Sequence, residues 1–124
     1  MARKSEPKRD EKFEKELVTG LISLILLAIT NNSREPMYGY QIAKQMEVGN
    51  MTNVQLKQGT IYPVLRTMEK KGLLKSEIKA SESGPPRKYY KITKKGQDKL
   101  EVWVRAWEDT SGFVNSVLGG NIDG

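Results

Sequence analysis

The sequence predicts a mainly α-helical chain with one small β-hairpin, in the order helix, helix, helix, hairpin, helix. Three observations lead there. Apolar residues recur at helical spacing in Leu17–Ile29, in Ile61–Met68 and from Leu100 to Leu118. Two short alternating stretches, 73–79 and 88–93, flank a turn-rich link containing Gly84-Pro85-Pro86. Positive charge is concentrated: Lys57–Lys99 holds 12 Lys/Arg against 4 Asp/Glu (net +8), and the rest 9 against 11 (net −2). A short helix that fits a groove, beside a cationic ribbon that can grip a backbone, is the layout of a winged helix-turn-helix. That charge footprint makes double-stranded DNA the expected partner.

The chain has 124 residues and a formal charge of +6, which suits one compact domain with an added helix. A core this small gains from a second copy. There is no cysteine, which excludes disulfides and thiolate metal sites. There is no histidine either, which removes the commonest general base and imidazole ligand. A carboxylate-only enzyme remains possible, but no acidic pair stands out in a plausible pocket. No Gly-rich phosphate loop occurs, and neither a cofactor nor a metal is expected. Leu17–Ile29 falls short of the roughly 20 residues that span a bilayer, and acids precede it where a signal peptide carries bases. It reads as a buried helix of a cytoplasmic protein with no membrane partner.

The elements follow in chain order. Residues 1–11 are charged and lack apolar periodicity, as expected of a flexible arm. A first helix is expected from about Glu11 to Thr30. Leu17, Leu21, Leu24, Ile25 and Ala28 make one stripe, and Val18, Ile22, Leu26 and Ile29 a second. A helix apolar on nearly all sides is covered from more than one direction, here by its own domain and by a partner helix. Asn31-Asn32-Ser33 ends it, and Pro36 forbids continuation.

The second helix is expected from near Tyr38-Gly39-Tyr40 to Val48-Gly49, with Ile42, Ala43 and Met46 inward and Gly49-Asn50 as its stop. Met51–Lys57 is a connector. In the third helix Ile61, Val64, Leu65 and Met68 form the buried face. Pro63 clashes with a carbonyl four residues earlier, so the regular helix should begin near Thr60 or be distorted at its start. Gly72 supplies a left-handed stop. The hairpin should have a loose tip over Ala80–Arg87. Thr93 is a good N-cap for a last helix from Lys94 to Leu118. There Leu100, Val104, Trp107, Val114 and Leu118 keep coiled-coil spacing, and Ser111-Gly112 interrupts.

On the third helix Gln58, Thr60, Tyr62, Arg66 and Lys70 have side chains that can read a major groove or bind phosphate. Arg66 has the fork that suits guanine, and Gln58 the amide that suits adenine. In the hairpin Lys79, Arg87, Lys88 and Lys91 are candidate phosphate or minor-groove contacts. Lysines guarding a sheet edge are the plainer reading for Lys75 and Lys91. Trp103 and Trp107, one turn apart with Leu100 and Val104 nearby, are expected at a dimer interface. They either simply pack there or stack a planar aromatic effector.

These residues carry a family resemblance. Tyr38-Gly39-Tyr40-Gln41-Ile42, then Gly59–Leu65 continuing to Glu69-Lys70-Lys71-Gly72-Leu73-Leu74, then Gly84–Thr93 with Gly96, resemble PadR-type transcriptional regulators of the short kind with one C-terminal helix. The resemblance implies a homodimer built from the first and last helices. It implies binding to an inverted-repeat operator, usually as a repressor, and release by small aromatic or drug-like effectors in some members. It places Tyr40 and Pro63 beside the candidate DNA contacts above, and Trp107 where a multidrug-sensing branch has a pore tryptophan. The implied organisation is a flexible arm (1–11), a winged helix-turn-helix (12–93), a C-terminal dimerisation helix (94–118) and a flexible tail (119–124). Two other readings fit the same features: a winged-helix protein-interaction module, and a dimer that sequesters ligands through its tryptophans.

Overall fold

In the computed structural model, which describes residues 8, 10–48 and 58–120, the order is α1 (Glu11–Asn32), β1 (Met37–Tyr38), α2 (Gly39–Val48), α3 (Gln58–Lys70), β2 (Leu74–Ser81), β3 (Gly84–Ile92) and α4 (Lys94–Leu118). The three strands form one antiparallel sheet in the order β1-β3-β2. The expected arm, the Gly49-Asn50 stop, the connector before α3 and the tail lie wholly or largely outside the described residues.

α1 starts because Asp10 caps it, its side chain accepting a hydrogen bond from the Phe13 amide at 3.0 Å. The inward stripe is Val18, Ile22, Leu26 and Leu27, and α1 touches α2, α3, β3 and α4. Thr30 is buried too, but its hydroxyl donates to the Leu26 and Leu27 carbonyls at 3.2 and 2.8 Å, so no polar atom is stranded. The other stripe is only partly covered: Leu21, Leu24, Ile25 and Ala28 are half-buried and Leu17 is exposed. Ile42, Ala43 and Met46 of α2, then Ile61, Leu65 and Met68 of α3, complete the core with Leu73, Leu74, Tyr90 and Ile92.

Four expectations change. β1 was not foreseen: Met37 and Tyr38 pair with Tyr90 and Tyr89, so the stretch before α2 is a third strand. α3 begins at Gln58, which puts Pro63 inside the helix rather than in its first turn. The hairpin is not loose from 80 to 87. Lys79 pairs with Arg87 and Ser81 with Gly84, leaving Glu82-Ser83 as the turn, and a bulge between Lys79 and Ser81 accommodates the shift. α4 runs unbroken through Ser111-Gly112, where the Ser111 hydroxyl donates to the Glu108 carbonyl at 3.3 Å.

The junction after α3 fixes the wing. Gly72 takes φ +77°, and the Gly72 and Leu73 amides return to the carbonyls of Glu69 and Met68 at 3.0 and 2.9 Å, a Schellman ending. The Thr93 amide donates to the Leu73 carbonyl at 3.1 Å, and the Thr93 hydroxyl to the Gly72 carbonyl at 2.6 Å. The same hydroxyl accepts from the Gly96 amide at 3.0 Å and so caps α4. A Cβ on Gly96 would overlap the Leu73 carbonyl oxygen and crowd Ile92. Glu69 adds a side-chain tie to the sheet, accepting from the Ser76 hydroxyl and pairing with Lys88 at 2.8 Å.

Two outcomes are expected. Gly96→Ala lowers stability by about 1–3 kcal/mol in urea unfolding, because the clash is with backbone that cannot move aside. The Lys88 and Ser76 hydrogen bonds hold the Glu69 carboxyl below its ordinary 4.5, and Glu69 raises Lys88 above its ordinary 10.5. The Glu69 contribution is therefore whole above pH 4.5 and fades as pH falls through the lowered value. The Lys88 contribution is whole below pH 10.5 and fades as pH rises through the raised one. Unfolding curves of the wild type and Glu69→Gln should converge at low pH and separate near neutrality.

Candidate nucleic-acid interface

The helical period of α3 sorts its residues. Ile61, Leu65 and Met68 are buried, which leaves Thr60, Pro63, Arg66, Thr67 and Lys70 exposed. The Thr67 hydroxyl donates to the Pro63 carbonyl at 3.0 Å, so Thr67 serves the helix. Tyr62 is half-buried, packed against the core, with its ring lying where a Cβ on Gly39 would sit. Glycine at that position is what lets α2 begin directly beneath the Tyr62 ring. The side chain of Gln58 lies outside the described residues.

The period of two in the wing sorts its residues likewise. Lys79, Arg87, Tyr89 and Lys91 share one face with Tyr38 of β1; Ser76, Ile78, Lys88 and Tyr90 share the other. The second face turns toward α3, and there Lys88 meets Glu69. Lys88, expected as a free contact, is thus committed to an ion pair in this conformation. Ile78 on the same face is 71% exposed, so only the base of the wing is covered. On the first face Lys79 stands directly opposite Arg87. Like charges opposed across a ladder are unfavourable. Each is instead laid on an aromatic ring: Arg87 on Tyr38 at 4.4 Å and Lys79 on Tyr89 at 5.4 Å.

Helix and wing meet around one open cleft of about 560 Å³, lined by Tyr38, Gly39, Tyr40, Tyr62, Arg66, Arg87, Lys88 and Tyr90. Arg66 and Arg87, one from α3 and one from β3, are exposed and line the same cleft. Among the described residues neither has a carboxylate within ion-pair distance. Tyr40 is exposed at the rim, with the Lys44 ammonium 5.8 Å from its ring centre. Tyr38, Tyr89 and Glu69 were quoted from the sequence as motif residues but not named as candidate contacts. The roles of the two tyrosines depend on β1, which two residues are too few to announce. That of Glu69 depends on a register seen only in three dimensions.

The tryptophans lie at another place. An open cleft of about 550 Å³ between α1 and α4 is lined by Leu17, Gly20, Leu21, Leu24, Trp103, Ala106, Trp107 and others. Trp103 is half-buried against the core, whereas Trp107 is 44% exposed. Val104 is exposed and borders a separate, more polar hollow near Asn31. Leu100, expected at an interface, is buried in the chain's own core and has little surface left for a partner. Among the described residues no helix is long and apolar enough to cross a membrane. No group of His, Cys, Asp and Glu there could hold a metal ion.

Residues 25–102 match the transcriptional regulator PadR-like family. An uncharacterised protein of Lysinibacillus sphaericus is 33% identical over 102 residues, which cover 81% of this chain and 89% of that protein. Among solved structures, a PadR-like transcriptional regulator from Bacillus cereus is 36% identical with a TM-score of 0.70, covering 83% of this chain and 96% of that one. A PadR family transcriptional regulator from Eggerthella lenta is 31% identical with a TM-score of 0.74, covering 86% and 89%. A PadR family transcription regulator from Clostridium difficile is 36% identical with a TM-score of 0.68, covering 80% and 99%. The fold of these proteins, four helices with a small three-stranded sheet, is the one described above. The chain therefore belongs to the PadR-like family of winged-helix, DNA-binding transcriptional regulators, which are not enzymes.

Proposed function

We propose that the protein represses transcription by binding an inverted-repeat operator as a homodimer, reading bases with α3 and gripping the backbone with the wing. The observation that carries this reading is the exposure of Arg66 and Arg87 on one cleft. A helix in the major groove needs exposed donors, and a wing beside it needs cations free of carboxylates. Thr60, Pro63 and Lys70 are exposed on the same helix and Tyr40 at the cleft rim, so they join the proposed contacts. With two-fold symmetry, the two α3 helices enter major grooves about 34–36 Å apart.

The second copy is argued from apolar surface. Phe13 and Leu17 on α1, and Trp107, Phe113, Val114, Val117 and Leu118 on α4, are all exposed. So large an apolar area on two neighbouring helices marks an association surface. The cleft between α1 and α4 then becomes a site for a planar aromatic effector, bounded by Trp103 and Trp107. A ligand there releases DNA if it fits better in the DNA-free arrangement.

Operator duplexes selected from random DNA provide the test. Arg66→Ala should cost about 1–3 kcal/mol on the selected duplex and much less on random duplex, measured by fluorescence anisotropy. Equal losses on both would reduce Arg66 to a phosphate contact. Binding of any duplex that ignores salt would favour a protein-interaction module instead. Val117→Glu should convert a dimer to a folded monomer in sedimentation equilibrium, and a wild-type monomer at micromolar concentration would defeat the dimer. Planar cations should quench tryptophan fluorescence and release the operator together. Quenching by a protein that binds no duplex would favour ligand sequestration.

A further inference from the structure

We propose that Tyr38 is a positioning residue for DNA binding: its ring holds the Arg87 guanidinium flat, so that the in-plane N–H groups of Arg87 face a phosphate of the duplex. The proposal rests on the DNA reading above and adds a residue that the sequence did not mark as part of the DNA site.

The arginine carbon Cζ lies 4.4 Å from the Tyr38 ring centre, well inside the range of a cation–π contact. The ring beneath it is itself held. Tyr38 is paired with Tyr89 in the sheet, and the Tyr89 ring meets it at 5.4 Å and 69°. The Tyr40 ring lies nearly parallel at 6.4 Å and 14°. The Tyr38 amide donates to the Gln41 side-chain oxygen at 3.1 Å, which ties the end of β1 to the first turn of α2. Tyr38 is thus a fixed plate, while Arg87 stands on an exposed part of β3.

Stacking uses the face of the guanidinium and leaves its edge free. All five N–H donors lie in that edge and suit the forked geometry of phosphate. An arginine resting on a plate also loses less rotamer freedom on binding than one waving in solvent. Lys79, directly opposite, supplies no counter-charge. The ring contact therefore keeps Arg87 in place, and among the described residues no carboxylate must be displaced before it reaches DNA. A lysine at 87 would keep the charge but lose both the flat stack and the fork.

A double-mutant cycle on the full chain tests this, with anisotropy on the selected operator at several salt concentrations. Tyr38→Leu should weaken binding roughly two- to fivefold, as loss of an exposed cation–π contact does. Tyr38→Phe should bind like the wild type, because the ring and not the hydroxyl does the holding. In an Arg87→Ala background, which should lower the salt slope by about one, Tyr38→Leu should cost nothing more. A Tyr38→Leu loss that persists in that background overturns the proposal, and so does a Tyr38→Phe loss as large as that of Tyr38→Leu. Should Tyr38→Leu melt, Arg87→Lys carries the test: it should bind more weakly with an unchanged salt slope, and wild-type affinity overturns the proposal. A wild-type protein that ignores every duplex fails the DNA reading itself, whereas a null cycle in a protein that binds its operator fails only the role of Tyr38.

Discussion

The geometry of the molecule depends on one junction, where the carbonyls of Gly72 and Leu73 receive the amide and hydroxyl of Thr93. Three elements end or begin there. α3 stops at Gly72 because only a left-handed residue closes its last turn. β3 ends at Ile92, and α4 starts from the Thr93 cap with Gly96 pressed onto the Leu73 carbonyl. A helix proposed to read bases and a ribbon proposed to grip phosphates work together only at a fixed relative pitch, and this knot ties the two elements together. Glu69 adds a second tie further along through Ser76 and Lys88. The base of the wing is thus joined to α3 both at the knot and through Glu69.

That arrangement explains how charge is spent. Lys88 lies on the face turned toward α3 and pairs with Glu69 at 2.8 Å. Arg87 and Lys79 lie on the other face, over tyrosine rings, and among the described residues neither is paired with an acid. A carboxylate partner would have to be given up when a phosphate arrives, which offsets much of the gain. An aromatic partner need not be given up. The tyrosines around the cleft divide the work. Tyr62 and Tyr90 pack against or within the core, and Tyr38 carries Arg87 without cancelling its charge.

How much of this was legible in the sequence depended on how local each feature is. α1 and α4 declared themselves through periodicity, α4 also through its Thr93 cap, and the end of α3 through Gly72, because each signal lies within a few residues; the Asp10 cap of α1 emerged only from the structure. The inward residues of α2 and α3 followed from the same period. The base of the wing alternated as expected, but its upper part did not, since Ile78 is exposed and Pro85-Pro86 reads as a breaker. Cross-strand hydrogen bonding extends the ladder past both prolines, and no local rule predicts that. β1 is two residues long and exists only because β3 offers it an edge. Leu100 kept the spacing of a coiled-coil seam, yet the first turns of α4 lie over the core, so burial within the chain claimed it. Arg66 and Arg87 could be named as candidates from type and position. That they share a cleft is a property of the fold.

The two-sided character of α1 joins the proposed functions physically. Its inner stripe, Val18, Ile22, Leu26 and Leu27, packs into the domain that carries α3, while Leu17, Leu21 and Leu24 border the cleft with Trp103 and Trp107. A close-packed helix cannot yield on one side without moving the other. If a second copy rests on the outer stripe, the spacing of the two α3 helices is set through α1 and α4. In that proposed dimer, occupation of the cleft would alter DNA affinity by changing how the copies sit, with no need to touch the DNA face. The coupling is bounded: a ligand shifts the arrangement only by the difference in its affinity for the two states, typically about 1–3 kcal/mol in allosteric proteins. That suffices to release an operator held at moderate affinity, and it does not require either tryptophan to be near Arg66.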